Sequence, residues 1–455
     1  MNGDSRLVNR TQKVLRLLRE YESRNVTFIE ADGSWPIVWE RAKGVHVWDA
    51  EGRKYLDLTA AFGVAAAGHA NPRVVGAGRE QMGRLLHAMG DVHPHPLKAR
   101  LGQELSRITF ERWAGRTKRT RPKADFYRGR TIFCNSGFEA VEAALKTAML
   151  ATGRPGVIAF EGGYHGLGYG ALNATHREHF RGAFKTQLGE FGYFVSFPNR
   201  YSKVATAEDQ LSKALERIRS LFRQKRIGAI LVEPIQVRGG INFPPPEFLP
   251  MLREICDREN AVLILDEIYT GFGRTGEWFA CEHSGVVPDV ICLGKALTGG
   301  FPLSACVGRA DLMDAAWPAS TGEAIHTSTF LGHPVGCAMA LAEIEEIKRR
   351  GLVERSKELG RVLLKELGKL TETQGLDCRG QGLLAGLEMK ESDGSPATSK
   401  ALKVIKGMLK RGFILLPEAE HSNVISFTPP LTITESQIQQ AARELEREIA
   451  GMESV

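Results

Sequence analysis

The sequence lacks several things, and each absence narrows the reading. No apolar run in its 455 residues approaches the roughly 18 needed to cross a bilayer. The longest uncharged apolar stretches, such as Ala261 to Leu265, are strand-sized. The opening residues, MNGDSRLVNR, hold no apolar core, which argues against a secretory signal. The seven cysteines are an odd count without zinc-type pairs. Cys134, Cys292 and Cys306 sit among apolar neighbours and read as reduced core residues. No internal repeat and no low-complexity linker divides the chain. These absences point to a cytoplasmic, enzyme-sized protein without a membrane partner.

What is present is ordinary for a folded chain. Hydrophobic residues make up 43% and charged residues 25%, which excludes a wholly disordered protein. The formal net charge is +7, and much of the excess is local. Residues 112 to 131 carry eight Lys or Arg, but no regularly interleaved aromatics. That run reads as a solvated loop and not as a nucleic-acid surface.

Periodicity divides the chain into three stretches. Residues 5 to 22 have helical spacing, and Gly44 to Leu58 reads as a hairpin turning at Asp49-Ala50-Glu51-Gly52. From about residue 130, short apolar runs alternate with helical patterns. Thr131–Cys134, Gly156–Phe160, Ile227–Val232, Val262–Leu265 and Val290–Leu293 read as buried strands. Helices are expected over Glu139–Leu150, Ala207–Phe222 and Glu247–Glu259. Such alternation predicts a mostly parallel sheet covered on both faces. Polar residues cluster after the strand ends, where ligands of open α/β sheets bind. A long helix, Pro334 to Arg350, then leads into a smaller α+β segment. The expected division is an N-terminal segment over 1–75 that joins the small domain, a large domain over 76–344 and a small domain over 345–455.

Lys295 follows the apolar run Val290-Ile291-Cys292-Leu293 and precedes ALTGG. A lysine at a buried strand end loses hydration, which favours the neutral amine that attacks carbonyls. Taken alone, a snorkelling structural lysine is the better reading. Asp266 ends the preceding apolar run, Val262 to Leu265, where a carboxylate needs a partner. A protonated pyridine nitrogen would supply one, worth ~4 kcal/mol at about 4 Å and an effective dielectric near 20, before desolvation. A helix-capping acid is the plainer reading. Asn135-Ser136-Gly137-Phe138 opens a helix, and free N–H groups there make an anion site. Tyr164, between glycines, offers a flat face to a ring. Together these parts suit one ligand carrying an aldehyde, a pyridine and a phosphate.

The stretches NSGFEAVEAALKTA, EGGYHG, ILVEPIQ, LILDEIYTGFGRTG, ICLGKALTGGFPLSA, HTSTFLGHPVGCAMAL and VISFTPPLTIT then carry a resemblance. From about residue 35 to 450 the chain resembles a class III (ω-class) aminotransferase of pyridoxal-phosphate fold type I, nearest in pattern to amine:pyruvate-type enzymes. The resemblance implies an α/β fold with a large, mostly parallel sheet domain and a smaller α+β domain built from both chain ends. It implies that Lys295 forms the Schiff base with pyridoxal 5′-phosphate. Asp266 would hold the pyridine nitrogen, and Tyr164 and Ile268 would sandwich the ring. Ser136, Gly137 and the Phe138 backbone would cup the phosphate. Thr329, with Ser328 beside it, would reach the phosphate from the other subunit of a homodimer. Glu233 and Glu267 would orient the site.

The departures from the family pattern concern the substrate side. Phe138 stands where a small or hydroxyl residue is frequent. Tyr269 replaces a Gln that contacts the ring hydroxyl in other branches. Arg238 occupies the position of a Glu, and Ser426 that of its partner Arg. The expected substrate-binding residues are therefore Arg238, Phe62 and Tyr269, with Arg238 as a carboxylate handle swung by Gly239-Gly240 and Arg379 as the alternative. The expected reaction is ping-pong transfer of an amino group, through Lys295, from a primary amine or ω-amino acid to pyruvate or 2-oxoglutarate. A racemase, aminomutase or decarboxylase of the same fold, and a non-catalytic cofactor-binding regulator, are the alternatives. No metal is expected: His87, Asp91, His93 and His95 lack a fourth ligand at a suitable spacing. Cys256 and Cys281 have no paired base, and Thr270 to Gly276 is not a nucleotide loop because it lacks the lysine.

Overall fold

The computed structural model describes residues 9–114, 127–202, 204–374 and 376–453. Most of the basic run, and the start of the expected first helix, lie outside the described residues. That helix covers Arg10–Tyr21, with Asn9 accepting from the Gln12 amide at its N-terminus. It buries only Leu15, so it lies on the surface of the fold. No helix among the described residues is long and apolar enough to cross a membrane.

The strands, in chain order, are β1 (Trp39–Lys43), β2 (His46–Asp49), β3 (Lys54–Asp57), β4 (Gly129–Cys134), β5 (Gly156–Phe160), β6 (Gly192–Val195), β7 (Ile227–Val232), β8 (Val262–Asp266), β9 (Val290–Leu293), β10 (Ser304–Arg309), β11 (Asp377–Gln381), β12 (Leu384–Glu388), β13 (Phe413–Ile414), β14 (Leu416–Glu418) and β15 (Val424–Phe427). The expected hairpin over Gly44–Leu58 is part of a larger unit. β1 precedes it, and β13 from the far end of the chain adds to β3 in parallel. The turn at Asp49 does form, with the Gly52 amide donating to the Asp49 carbonyl and the Asp49 carboxylate accepting from the Glu51 and Arg53 amides.

The central sheet has seven strands in the order β4-β10-β9-β8-β7-β5-β6. β5 to β9 pair in parallel, while β10 runs antiparallel between β4 and β9. Sequence periodicity missed β10 and β6. β10 reads SACVGR, small residues without a branched apolar run, and β6 is a half-exposed edge. The four strands β11, β12, β15 and β14 form a separate antiparallel sheet near the C-terminus.

Alternation along each central strand sends successive side chains to opposite faces. Ile230, Val232, Leu263 and Leu265 join one core cluster, with the helices Ala207–Gln224 and Phe248–Glu259. Ala229, Leu231, Val262 and Ile264 join the other, under the helix Gly137–Thr152. Each such Leu, Ile or Val contributes about 1.5–3 kcal/mol by its burial. The Gly137–Thr152 helix buries Ala140, Ala143, Ala144 and Ala148 against the sheet, and these small side chains allow a close approach. The same alternation places Glu233, two past Leu231, and Asp266, two past Ile264, in register with the face carrying that helix. The helix N-terminus therefore meets both acids at the carboxyl edge of the sheet.

Candidate active site

Gly137, Tyr164, Glu233, Asp266 and Lys295, each from a different strand-end loop, line one cavity of about 360 Å³. Those are the five loops that the sequence directs to a single place. A larger cavity of about 800 Å³ lies across Phe138 and is mostly apolar. It contains neither Lys295 nor Asp266, so the chemistry belongs to the smaller one.

Lys295 begins a short 3-10 turn directly after β9, with φ +43°. A non-glycine residue held left-handed costs roughly 1–3 kcal/mol, and such strain collects at functional sites. Its Nζ lies 4.0 Å from the centroid of the Tyr269 ring. Burial pushes its pKa down to about 8, although Asp266, Glu233 and Glu418 oppose the shift. About half of the amine is thus neutral at pH 8, a far larger share than an ordinary lysine offers there, and the neutral form is the nucleophile.

Asp266 is buried and firmly oriented. Its Oδ1 accepts from the Ile268 amide at 3.1 Å, and its Oδ2 lies 2.8 Å from Nδ1 of His165. His165 is buried too, and its own amide donates to Thr175 Oγ1. His165 lies in the EGGYHG stretch, but its contact with Asp266 spans 101 positions and leaves no local signal in the sequence.

At the helix N-terminus the Ser136 Oγ is buried without a hydrogen-bond partner. Glu139 accepts from the Asn135 and Ser136 amides. Gly137 packs under Ile268: a Cβ built there would stand 3.0 Å from Ile268 Cδ1. Gly166, at φ +102°, lies so close to Phe138 that a Cβ there would meet the Phe138 Cβ at 2.3 Å. An orphaned hydroxyl at the start of a 16-residue helix fits an anion such as a phosphate monoester. With Asp266, Tyr164 and Ile268 in the same cavity, the residues fit a phosphorylated pyridine aldehyde.

Glu233 is buried and accepts from the Tyr164 amide at 2.9 Å. Burial lifts its carboxyl to about 7. Glu267 does not line the cavity itself. Its oxygens accept from Thr270 Oγ1 and the Ala280 and Cys281 amides, so it braces the segment after β8. The adjacent GFGRTG stretch is also a brace: buried Arg274 donates to the Leu383 and Pro429 carbonyls, tying the two sheets together.

The substrate-side expectations change most. Tyr269 lines the cavity, and its hydroxyl lies 3.3 Å from Thr428 Oγ1. Phe62 does not line it. Its side chain is 48% exposed on a left-handed turn, in which Ala60, Ala61 and Phe62 all have positive φ. Ser328 and Thr329 are exposed and also lie outside the cavity of their own chain. Arg238 does line the cavity, but as an ion pair, with Nη1 3.1 Å from Glu418 Oε2. Gly239 and Gly240 sit in a closed, packed turn. The turn closes through the Gly240 and Ile241 amides to the Val237 carbonyl, and Ile241 is fully buried. Arg379 is engaged elsewhere, by the Gly240 and Ile241 carbonyls and Glu388. Glu418, on β14, went unnoticed because a single acid after an apolar run has no sequence signature. Among the described residues no cluster of His, Cys, Asp and Glu is arranged to hold a metal.

Comparison with known proteins agrees with this geometry. The family profile of class III aminotransferases matches residues 28–449. An acetylornithine aminotransferase of Methanosarcina mazei is 35% identical over 91% of this chain and 92% of its own. A 5-aminovalerate aminotransferase of Pseudomonas aeruginosa is 35% identical over 89% of this chain and 91% of its own. An amine transaminase from an uncultivated Pseudomonas species, solved in a form bound to pyridoxal phosphate, superposes with a TM-score of 0.83 at 26% identity, covering 95% of this chain and 98% of its own. The chain belongs to the class III aminotransferases, fold type I enzymes that use pyridoxal phosphate to move an amino group from an amine donor to a 2-oxo acid by a ping-pong route.

Proposed function

We propose that this enzyme takes its amino group from an unbranched primary amine or ω-amino acid, and that the cavity around Lys295 is where transfer occurs. The observation that carries this reading is the buried Lys295 amine, with its pKa near 8, sharing a cavity with Asp266 and with the orphaned Ser136 hydroxyl close by. The names of the acetylornithine and 5-aminovalerate relatives support a donor whose reacting amine ends a chain. Pyridoxal phosphate, when bound, supplies the aldehyde that receives the amino group and the ring that accepts electrons from the donor carbon. Ser136, Gly137 and the Phe138 amide would hold its phosphate, Tyr164 and Ile268 would cover its ring, and Asp266 would hold its nitrogen. Lys295 Nζ, whose lowered pKa makes the neutral amine accessible, takes the proton from the donor carbon that bears the amine. Glu233 fixes the Tyr164 backbone.

The reading extends to a cytoplasmic homodimer. Ser328 and Thr329 reach the phosphate of the partner's site, which accords with their exposure in a single chain. Co-expressing a Lys295→Ala chain with a Thr329→Ala chain is expected to restore activity. Mixed dimers then carry one doubly damaged and one intact site. Properly mixed dimers without activity would rule this out.

Arg238 serves as the handle for the carboxylate of the 2-oxo acid. Its planar guanidinium suits a carboxylate, and it is the arginine that lines the cavity. Arg238→Ala is expected to cost the acid half-reaction about 2–4 kcal/mol of transition-state binding, while an uncharged amine donor reacts nearly as before. Rapid-mixing kinetics of the two half-reactions checks this. The activity itself is tested with a panel of terminal amines against pyruvate and 2-oxoglutarate, following amino transfer to the acid. Inversion of the substrate, or release of carbon dioxide without transfer, would point to a different reaction.

A further inference from the structure

Ser328 and Thr329 sit on an exposed turn, yet a hydroxyl on a loose turn adds little to binding, because ordering it costs conformational entropy. A set of contacts orders this one. The Leu331 amide donates to the Ser328 carbonyl at 3.2 Å and closes the turn on itself. A second turn, residues 89–93, closes through the His93 amide to the Met89 carbonyl at 2.7 Å and packs against the first. Gly90 presses on it so closely that a Cβ there would collide with the Leu331 carbonyl oxygen. Thr327 Oγ1 donates to Asp91 Oδ2 at 2.8 Å, and His95 Nε2 lies 2.7 Å from the Gly332 carbonyl oxygen.

Lys98 is wedged between the two turns. Its Nζ donates to the Gly90 carbonyl at 2.6 Å. Its stem lies against Gly332, where a Cβ would meet Lys98 Cδ at 3.0 Å. Gly332 has φ +65°, so glycine suits both the turn and the close approach. The placement runs against local preference. Lys98 is the third residue of the helix Pro96–Ser106, where the helix dipole disfavours a cation. Burial also lowers its pKa, opposed by Cys337 and Asp91. A half-buried ammonium at a helix start is thus held by the turns and not by its own helix. Around the two turns Leu86, Met89, Val92 and Phe330 are exposed. Such an apolar patch marks a surface that another chain covers, and a second copy is the occupant that the reading of Thr329 requires.

We propose that Lys98 is a positioning residue for the cofactor site of the other subunit: wedged between residues 89–93 and 327–332, it presents Thr329 to the phosphate bound there. The proposal rests on the reading that Thr329 crosses the dimer. Lys98 does not line the cavity of its own chain. It acts by restricting the turn before the phosphate arrives, so that less freedom is lost on binding. No covalent bond changes and no proton moves.

The test starts from holoenzyme and follows by absorbance the release of pyridoxal phosphate after dilution. Lys98→Met fills most of the stem and removes the charge. It is expected to speed release about tenfold, the scale of one hydrogen bond no longer held in place. The same enzymes loaded with pyridoxal, which has no phosphate, are expected to release it at equal rates. A variant merely damaged in its fold would release both ligands faster. In a Thr329→Ala background, Lys98→Met is expected to add less than about twofold, because the residue through which it acts is gone. Lys98→Gln keeps an N–H donor without the charge, and the same pattern is read from it if Lys98→Met does not fold. Co-expression with Lys295→Ala locates the effect. In mixed dimers the site with intact Lys295 takes Thr329 from the chain with intact Lys98, so it is expected to hold pyridoxal phosphate as wild type does. Unchanged release from Lys98→Met, equal acceleration with pyridoxal, full additivity with Thr329→Ala, or fast release from the mixed dimers would each overturn the role of Lys98 while that of Thr329 stands. If Thr329→Ala alone releases pyridoxal phosphate at the wild-type rate, the reading of Thr329 fails and this inference fails with it.

Discussion

Replacing Lys295 with methionine is expected to abolish turnover and, at the same time, to stabilise the protein stripped of its cofactor. The first effect follows from chemistry. The Lys295 Nζ is the amine that combines a lowered pKa with a position in the cavity, and methionine fills its volume without a nucleophile. Reduction with borohydride should trap the cofactor on wild type and leave the variant unlabelled. A covalent adduct on another lysine would show that the assignment is wrong. The second effect follows from linkage. The folded lysine titrates near 8, against an ordinary value of 10.5. Below about 8 it is charged in both states, and the cost of burying the charge is fully present. Between about 8 and 10.5 the unfolded chain binds more protons than the folded one, so stability rises with pH. The gap between these values corresponds to about 3 kcal/mol. Stripped Lys295→Met should therefore be more stable than stripped wild type by about that amount at pH 7, and the advantage should vanish as the pH approaches 10.5. Urea titrations at pH 7 and pH 10 measure it. An advantage independent of pH would mean that packing, and not charge, separates the two proteins.

Asp266→Asn is expected to preserve the fold and remove about three orders of magnitude from the proton-abstraction step. The side chain is nearly isosteric, and its oxygen can still accept from the Ile268 amide. What is lost is the negative charge that, on the proposed reading, would pair with the ring nitrogen. At about 4 Å and an effective dielectric near 20, that charge is worth ~4 kcal/mol, or roughly a thousandfold in rate. His165 lies 2.8 Å from the carboxylate and orients it. Single-turnover rates with a saturating amine, at matched cofactor occupancy, provide the measurement. A variant with bound cofactor and near-normal rates would remove Asp266 from the chemistry.

The charge inversion at the substrate wall shows how far sequence reasoning reaches. The residues Arg238 and Ser426 stand out as departures within the EPIQ and SFTPPL stretches, and the absence of an arginine at position 426 is real: Ser426 is buried within β15. The compensating acid, Glu418, lies 180 positions from Arg238 in the chain. Nothing in the run Phe413 to Glu420 marks it as a partner, because β14 is a short strand whose neighbours are set by the packing of one sheet against another. The packing of the glycine pair was hidden for a related reason. Gly239 and Gly240 permit flexibility as sequence, yet here they permit close packing against Gly162 and Ala419.

Local chemistry and period-two alternation determined much of the central sheet. The apolar runs of β5, β7, β8 and β9 bury both faces, so each reads as a strand without reference to its partners, and the polar residue ending each run falls at the edge where ligands bind. That is why Lys295, Asp266, Glu233, Tyr164 and the Ser136-Gly137 helix start were legible together. Tertiary structure decided the rest. It alone inserted β10 between β4 and β9, and it joined β13 to β3 across more than 350 residues of chain. It turned Glu267 away from the cavity, set His165 against Asp266, and closed Arg238 upon Glu418. Each of these depends on a contact between residues far apart in sequence, whose energy arises from burial and charge in three dimensions and leaves no periodic trace along the chain.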